Sequence, residues 1–130
     1  MFEGQRIIGI GYDIVETSRI ELVLSRWGKK FEERVFTTQE LEYCNDKKNR
    51  TQRLASRFAA KEAVFKALGT GWQRGVGWTE IEVTNDGLGK PAITLRGRTK
   101  ELSRQLGVRN IFVSMTNTSD YGAAQVILTS

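Results

Sequence analysis

The chain has 130 residues and a formal net charge of +5 at pH 7, with no histidine and a single cysteine, Cys44. One cysteine excludes an intramolecular disulfide and is typical of a protein from a reducing compartment. The absence of histidine excludes imidazole-based catalytic triads and the common zinc sites, so that any catalysis depends on carboxylates, lysine, arginine, hydroxyls, the backbone and a hard metal ion.

The first half of the sequence predicts one strand followed by three helices. In chain order these are a strand over residues 7–15 and helices over 19–27, from Thr37 towards Cys44, and over 52–68. Serine or threonine three residues before glutamate, at Ser18 and Glu21 and again at Thr37 and Glu40, is typical of a capped helix start. The longest helix is rich in alanine, leucine, lysine and glutamate, which favour helix.

The second half predicts four strands and one short helix. In chain order these are strands over 79–84 and 92–95, a helix over 99–106, and strands over 110–116 and 123–128. The residues 85–87, Asn-Asp-Gly, predict a turn between the first two strands. The last two strands are too close in sequence for a crossover helix, so we expect an antiparallel pair. The mixture indicates an α+β fold with an antiparallel sheet packed against the long helix, in one domain over residues 1–130.

Asp13 is the first candidate functional residue. The alternation of the first strand places Ile8, Ile10, Tyr12 and Ile14 on one face and Gly9, Gly11 and Asp13 on the other. The two glycines allow a ligand or another backbone to approach closely, and a carboxylate facing that space can hold a cation. Alternatively, Asp13 ends the strand and accepts hydrogen bonds from the backbone of the following turn.

Glu62 is the second candidate. It projects between an arc of bulky apolar side chains and a thin face of alanines on the long helix, with Lys66 one turn further on. A carboxylate at such a seam is expected to be partly desolvated and to have a partner, whereas the alternative is an exposed pair between Glu62 and Lys66. Lys61 falls inside the apolar arc, which requires a tertiary partner or a snorkelling side chain.

The third candidate is the segment Gly69-Thr70-Gly71 at the end of the long helix. It is suited to a helix C-cap and also to a flexible loop whose backbone approaches a phosphate, although the GxxxxGK[ST] pattern of a P-loop is absent. Two carboxylates, a lysine and a glycine-rich loop are together suited to phosphoryl chemistry with Mg²⁺, which prefers one or two carboxylates plus substrate phosphates and water.

Charge and hydrophobicity bear on partners and location. No stretch approaches the roughly 20 apolar residues that span a bilayer, and the N-terminus lacks the features of a signal peptide, so we expect a cytoplasmic protein with no membrane partner. The positive charge suits an anionic partner, and it equally suits the solubility of a small domain.

Most of the sequence, in order, resembles the holo-acyl-carrier-protein synthases, a family of 4′-phosphopantetheinyl transferases. GIGYDIVE at residues 9–16, followed by Arg19-Ile20, resembles their N-terminal motif. RFAAKEA at residues 57–63, followed by Lys66-Ala67 and by GTG at 69–71, resembles their second motif. Lys90-Pro91 and the closing hairpin, from Val113-Ser114 to Ala124, match their C-terminal half.

The resemblance implies a homotrimer with active sites at subunit interfaces. It also implies transfer of the phosphopantetheine arm of coenzyme A to a serine of apo-acyl carrier protein, with release of adenosine 3′,5′-bisphosphate, in support of fatty acid biosynthesis. Mg²⁺ would be bound by Asp13 and Glu62, and Lys66 would lie near the pyrophosphate. Since the chain has no histidine, Glu62 is the expected acceptor of the serine proton.

Two further sets of residues follow from the same resemblance. Positions lining the coenzyme A cleft are Arg57, Gly69, Thr70, Gly71 and Pro91. The helical region in which family members dock the acidic carrier protein contains Arg19, Arg26, Lys30, Phe31 and Arg34.

Asn117 departs from the family pattern, because many relatives have a histidine that contacts coenzyme A at this position. Asparagine can donate a hydrogen bond to a phosphate oxygen, but it cannot carry charge or transfer a proton, so a base role for Asn117 is excluded. Two other classes stay open: a nucleic-acid-binding module, for which no known motif is visible, and a non-catalytic trimeric interaction protein, which the Asn117 substitution slightly favours.

Overall fold

The computed structural model describes residues 4–69 and 77–130. Its elements up to the long helix are β1 (Ile7–Glu16), α1 (Thr17–Trp27), α2 (Lys29–Val35), α3 (Thr38–Asn45) and α4 (Arg50–Leu68). The elements that follow are a short 3₁₀ helix (Trp78–Glu80), β2 (Ile81–Asn85), β3 (Pro91–Leu95), α5 (Gly97–Gln105), β4 (Asn110–Asn117) and β5 (Tyr121–Thr129).

The strands form two antiparallel sheets around α4. One sheet has three strands in the order β1-β5-β4, and the other is the hairpin of β2 and β3. Helix α4 packs against all three strands of the larger sheet and against β2, and its buried Leu54, Val64 and Phe65 are part of the core. The predictions of an α+β fold, of a long central helix and of an antiparallel last pair of strands are confirmed.

Glycines allow the large sheet to lie unusually close to α4. A Cβ atom added at Gly11 would collide with the backbone carbonyl of Ala63, and one added at Gly9 with that of Ala67. Gly122 on β5 similarly faces the backbone of Ala55 and Ser56 without room for a side chain. The space left by the glycines of β1 is therefore filled by the backbone of α4.

Three features of the first half differ from the sequence predictions. Helix α1 starts at Thr17 directly after β1, and Ser18 does not cap it, because the N–H of the buried Thr17 donates to the carbonyl of Asp120 in the β4–β5 turn. Helix α2 was not predicted, since it is only seven residues long and has no side-chain cap. The register of β1 also shifts between Ile7 and Gly9, so Ile8 packs against the core and not with the outward-facing side chains.

Other local predictions are confirmed. Thr37 and Glu40 form the expected capping box of α3, and Gly28 ends α1. The β2–β3 turn is held by the Asp86 carboxylate, which accepts hydrogen bonds from the N–H groups of Leu88 and Lys90. In contrast, Thr79 and Glu80 lie in the 3₁₀ helix, so β2 begins at Ile81, two residues later than predicted.

Candidate active site

Asp13, Glu62 and Lys66 lie together where β1 crosses α4. The Nζ atom of Lys66 is 2.8 Å from Oδ1 of Asp13 and 3.3 Å from the carbonyl oxygen of Tyr12. Glu62 lies one turn before Lys66 on the same side of α4. The Asp13 side chain thus points to α4 and not into the turn that follows β1, and Lys66 pairs with Asp13 across two elements.

Burial and the nearby charge of Asp13 both disfavour the ionised form of Glu62. Burial raises the pKa of half-buried Glu62, and the negative charge of Asp13 raises it further, while Lys66 and Arg19 oppose both effects. A cation between Asp13 and Glu62 would remove the repulsion between the two carboxylates and offset part of the desolvation cost of Glu62.

This pair of carboxylates fits the ligand preference of Mg²⁺. Within residues 4–69 and 77–130, no cluster of three or more acidic, histidine or cysteine side chains is suited to a metal. A two-carboxylate site leaves the other coordination positions to substrate phosphates and water, which is the arrangement that Mg²⁺ favours over an all-protein cage.

A second feature is a small cationic pocket beside the β2–β3 turn, with a volume of about 110 Å³. Three of the residues expected in the coenzyme A cleft, Arg57, Pro91 and Asn117, meet here. The complete lining, which we call the Arg57 pocket, is Arg53, Ser56, Arg57, Asn85, Gly89, Pro91, Met115 and Asn117. Two arginines and two amide side chains make it suited to an anion such as a phosphate group.

Two other expectations concern the end of α4. Gly69 adopts a left-handed conformation with φ of 77°, and its N–H donates to the carbonyl oxygens of Phe65 and Lys66, so it is the C-cap of the helix. Thr70 and Gly71 lie outside the described residues, so their expected role as a phosphate-binding loop stays a prediction.

The region expected to dock the carrier protein forms an open groove along α1 and α2. Its volume is about 430 Å³, and its lining is Val23, Trp27, Lys30, Phe31 and Arg34. Arg26 stacks on Trp27 at 5.6 Å beside it. Arg19 differs from these residues, because its charge acts on Glu62. The groove therefore has an apolar floor with exposed cations at its edges.

The outer face of the large sheet exposes large apolar side chains. Ile10, Tyr12 and Ile14 on β1 are 53%, 70% and 61% exposed, and Phe112 on β4 is 57% exposed. The alternation of β1 predicted that Ile10, Tyr12 and Ile14 share one face, and no partner for that face was predicted. Contiguous apolar surface of this kind usually marks a contact with another protein.

Several residues of the Arg57 pocket and its surroundings were not predicted from the sequence. Asn85 was interpreted only as part of a turn, yet its Oδ1 accepts a hydrogen bond from Arg57 Nη2. Arg53 lies four residues before Arg57 on α4 and three before Ser56, a helical spacing that would have placed these side chains near one another. No helix of the described residues has the length and apolar character to cross a membrane.

Comparison with known proteins identifies the family. The family model of the 4′-phosphopantetheinyl transferase superfamily matches residues 9–126. The holo-[acyl-carrier-protein] synthase of Solibacter usitatus is 46% identical over 122 residues, covering 94% of this chain and 98% of that protein. That of Geotalea daltonii is 45% identical, with the same coverage of both chains.

Solved structures agree with this assignment. The crystal structure of holo-[acyl-carrier-protein] synthase from Neisseria meningitidis superposes with a TM-score of 0.87 at 34% identity, covering 95% of this chain and 98% of the other. The Helicobacter pylori synthase in complex with coenzyme A gives a TM-score of 0.81 at 31% identity, covering 92% and 98%. The chain therefore belongs to the holo-[acyl-carrier-protein] synthase family of the 4′-phosphopantetheinyl transferase superfamily.

Proposed function

We propose that this protein transfers the 4′-phosphopantetheine arm of coenzyme A to a serine hydroxyl of apo-acyl carrier protein. The observation that carries the proposal is the meeting of Asp13, Glu62 and Lys66 where β1 crosses α4. The names of the relatives and the coenzyme A bound in the Helicobacter pylori structure support the choice of substrates. We further propose a cytoplasmic location and a role in fatty acid biosynthesis, as the family resemblance implies.

In the proposed reaction the serine oxygen bonds to the phosphorus that carries the pantetheine arm. The bond from that phosphorus to the pyrophosphate bridging oxygen breaks, and adenosine 3′,5′-bisphosphate leaves. Asp13 and Glu62 would hold Mg²⁺, which when bound neutralises pyrophosphate charge and polarises the phosphorus.

Lys66 and Glu62 have separate proposed roles. Lys66 is exposed and protonated beside Asp13, so it is available to neutralise charge on the transferred phosphate. Glu62 is the proposed acceptor of the serine proton, because the chain has no histidine and Asp13, the other carboxylate of the cluster, is paired with Lys66.

Coenzyme A would extend from this cluster to the Arg57 pocket. Arg57 is five residues before Glu62 on α4, about 7.5 Å along the helix axis, so the pocket offers a separate site for an anionic group of the same ligand. We propose that Arg57, Pro91 and Asn117 bind coenzyme A here, and that Gly69, Thr70 and Gly71 do so at the end of α4.

The decisive experiment is mass spectrometry of apo-acyl carrier protein after incubation with the protein, coenzyme A and Mg²⁺. A mass gain of one phosphopantetheine group is expected with the wild type, and a loss of turnover by orders of magnitude with Asp13→Asn and Glu62→Gln. Glu42→Gln, at an exposed position of α3, is the matched control and retains activity. Absence of loading by the wild type would refute the proposal.

We propose that the carrier protein docks on the groove of α1 and α2, with Arg19, Arg26, Lys30, Phe31 and Arg34 as contacts. Acidic carrier protein complements the exposed cations, and charge steering of this kind is screened over about 8–10 Å at moderate salt. The apparent KM for carrier protein should therefore rise steeply with salt, and a constant KM would contradict docking by charge.

We propose that the protein is a homotrimer held by the outer face of the large sheet. The exposed Ile10, Tyr12, Ile14 and Phe112 support this, because burial of about 25 cal/mol per Å² of apolar surface favours association. Neither nucleic acid nor membrane is among the proposed partners.

A further inference from the structure

Arg57 is buried to an unusual degree for an arginine that lines a pocket. Only 2% of its surface is exposed. Its Nη2 donates to Asn85 Oδ1, but its Nε has no hydrogen-bond partner among the described residues. A buried donor without a partner costs stability, which a ligand with an acceptor oxygen can restore.

The guanidinium group of Arg57 stacks on the ring of Tyr43. Arg57 Cζ lies 4.5 Å from the ring centroid, within the range of a favourable cation–π contact. Tyr43 is half-buried and does not line the Arg57 pocket itself. It therefore bears on any ligand there only through Arg57.

The helix that carries Tyr43 is fixed to α4 by a buried ion pair. Lys61 Nζ lies 2.7 Å from Glu40 Oε1, and both side chains are 0% exposed. The lysine also donates to the carbonyls of Trp78 and Ile81, while the N–H of Val83 donates to Glu40 Oε2 over 2.9 Å. The expectation that Lys61, in the apolar arc of the helix, has a tertiary partner is therefore confirmed by this network.

The ion pair and the stacked pair are two contacts between the same two helices. Tyr43 follows Glu40 by three residues and Arg57 precedes Lys61 by four, so each contact lies about one helical turn from the other. The buried ion pair of Glu40 and Lys61 sets the position of α3, and the stacked pair presents the aromatic face of Tyr43 to the Arg57 guanidinium.

We propose that Tyr43 is a positioning residue that holds the Arg57 guanidinium in the plane from which its unpaired N–H meets an anionic group of coenzyme A. The inference rests on the proposed function. Fixing a long, flexible side chain before the ligand arrives lowers the entropic cost of binding, so Tyr43 contributes to coenzyme A affinity without touching it. The chemical step, at Asp13, Glu62 and Lys66, is not affected.

The test is steady-state kinetics of full-length Tyr43→Phe and Tyr43→Leu with Mg²⁺, coenzyme A and apo-acyl carrier protein. Leucine removes the π face, and the KM for coenzyme A should rise about three- to tenfold, while kcat and the KM for carrier protein stay unchanged. Phenylalanine keeps the ring and should behave as the wild type. Lys47→Gln removes the other cation near this ring, 5.0 Å from its centroid, and is the matched control without effect.

A second experiment separates positioning of Arg57 from a general structural role. In an Arg57→Ala background, Tyr43→Leu should add nothing to the KM for coenzyme A, because its effect passes through the missing guanidinium. Calorimetric titration of the Tyr43 variants with adenosine 3′,5′-bisphosphate measures ligand affinity without turnover and should show the same loss of affinity. Tyr43→Met serves as an alternative to Tyr43→Leu.

The outcomes distinguish the two proposals. Equal KM values for the wild type and Tyr43→Leu, or the same rise with and without Arg57, overturn the role of Tyr43 while transfer by the wild type continues. Failure of the wild type to load carrier protein overturns the proposed function instead.

Discussion

Lys66 on α4 and Asp13 on β1 form an ion pair in which Nζ lies 2.8 Å from Oδ1. The hydrogen bond to Asp13 is the main cause that raises the pKa of Lys66 above its ordinary value; desolvation opposes it, and the nearby negative charges of Asp13 and Glu62 add to the rise. A cation held by Asp13, as proposed, would therefore compete with Lys66 for the same carboxylate oxygen, while in the proposed reaction the charge of Lys66 neutralises the transferred phosphate.

Replacement of Lys66 should separate its competition with a cation for Asp13 from its proposed stabilisation of the transferred phosphate. Lys66→Met is expected to lower the Mg²⁺ concentration that gives half-maximal rate, because Asp13 is freed, and to reduce kcat about 100-fold, because a charge that stabilises the transition state is lost. Initial rates over a Mg²⁺ series measure both, with Lys100→Met on exposed α5 as the control. A higher Mg²⁺ requirement in Lys66→Met would contradict the competition.

Glu62→Gln should stabilise the metal-free protein although it abolishes turnover. Burial and the charge of Asp13 raise the pKa of Glu62 in the folded state, so its ionised form costs stability when the pH is above that pKa. The cost disappears below the pKa of the unfolded chain. Thermal melts without Mg²⁺ should show a gain of about 1–3 °C at pH 7.5 and none at pH 3.5. A melting temperature of Glu62→Gln below that of the wild type at pH 7.5 would contradict this prediction.

Gly11→Ala should be strongly destabilising. Its Cβ would collide with the carbonyl oxygen of Ala63, so β1 and α4 must separate, at a cost of about 3 kcal/mol. The same movement carries Asp13 away from Glu62, and activity should fall even where the protein is folded. Gly87→Ala, where an added Cβ meets nothing within 4 Å, is the control. Urea unfolding compares the two, and equal stabilities would refute the close approach.

Glu80 should contribute stability that is lost in acid. Burial alone would raise its pKa, but hydrogen bonds from the Thr99 hydroxyl and from the N–H groups of Gly77, Arg98 and Thr99 outweigh it, and the pKa lies below the ordinary value. The contribution is therefore present above the pKa of the unfolded chain and disappears as the pH falls through the folded pKa. Glu80→Gln should lose about 1–3 kcal/mol at pH 7, and this difference should shrink by pH 3. If the difference in unfolding free energy between the wild type and Glu80→Gln did not change with pH, the ionised Glu80 carboxylate would not be its cause.

A single charge on the outer sheet face should dissociate the proposed trimer. Ile14 is 61% exposed, so Ile14→Glu leaves the fold of one subunit intact but places a carboxylate in the proposed contact. Light scattering after size-exclusion chromatography should show a change from three chains to one. Leu22→Glu, on exposed α1, should leave the mass unchanged. A monomeric wild type would exclude the trimer.

Local patterns were enough to find the strands and four of the five α-helices of the described residues, and to single out Asp13, Glu62 and Lys66 as candidates, whereas their meeting at one site was implied by the family resemblance. Glycines beside Asp13, and the helical spacing of Glu62 and Lys66, are short-range signals. What could not be predicted depends on distant residues: Thr17 is bound by Asp120, so Ser18 has no capping role, and the start of α5 is bound by the carboxylate of Glu80, 19 residues from Thr99. Tyr43 stacks on Arg57 where α3 and α4 meet, a meeting that the ion pair of Glu40 and Lys61 helps to fix.

The pairing of β1 with β5 has a consequence for biosynthesis. Within the described residues β1 has no other strand beside it, and Asp13 is aligned with Ala124. A nascent chain that has not yet emerged from the ribosome as far as β5 cannot complete this sheet, so β1 waits for a segment made more than 100 residues later. Such long-range pairing is slow to form. Chains stalled in translation before residue 121 should therefore lack the cluster of Asp13, Glu62 and Lys66 altogether.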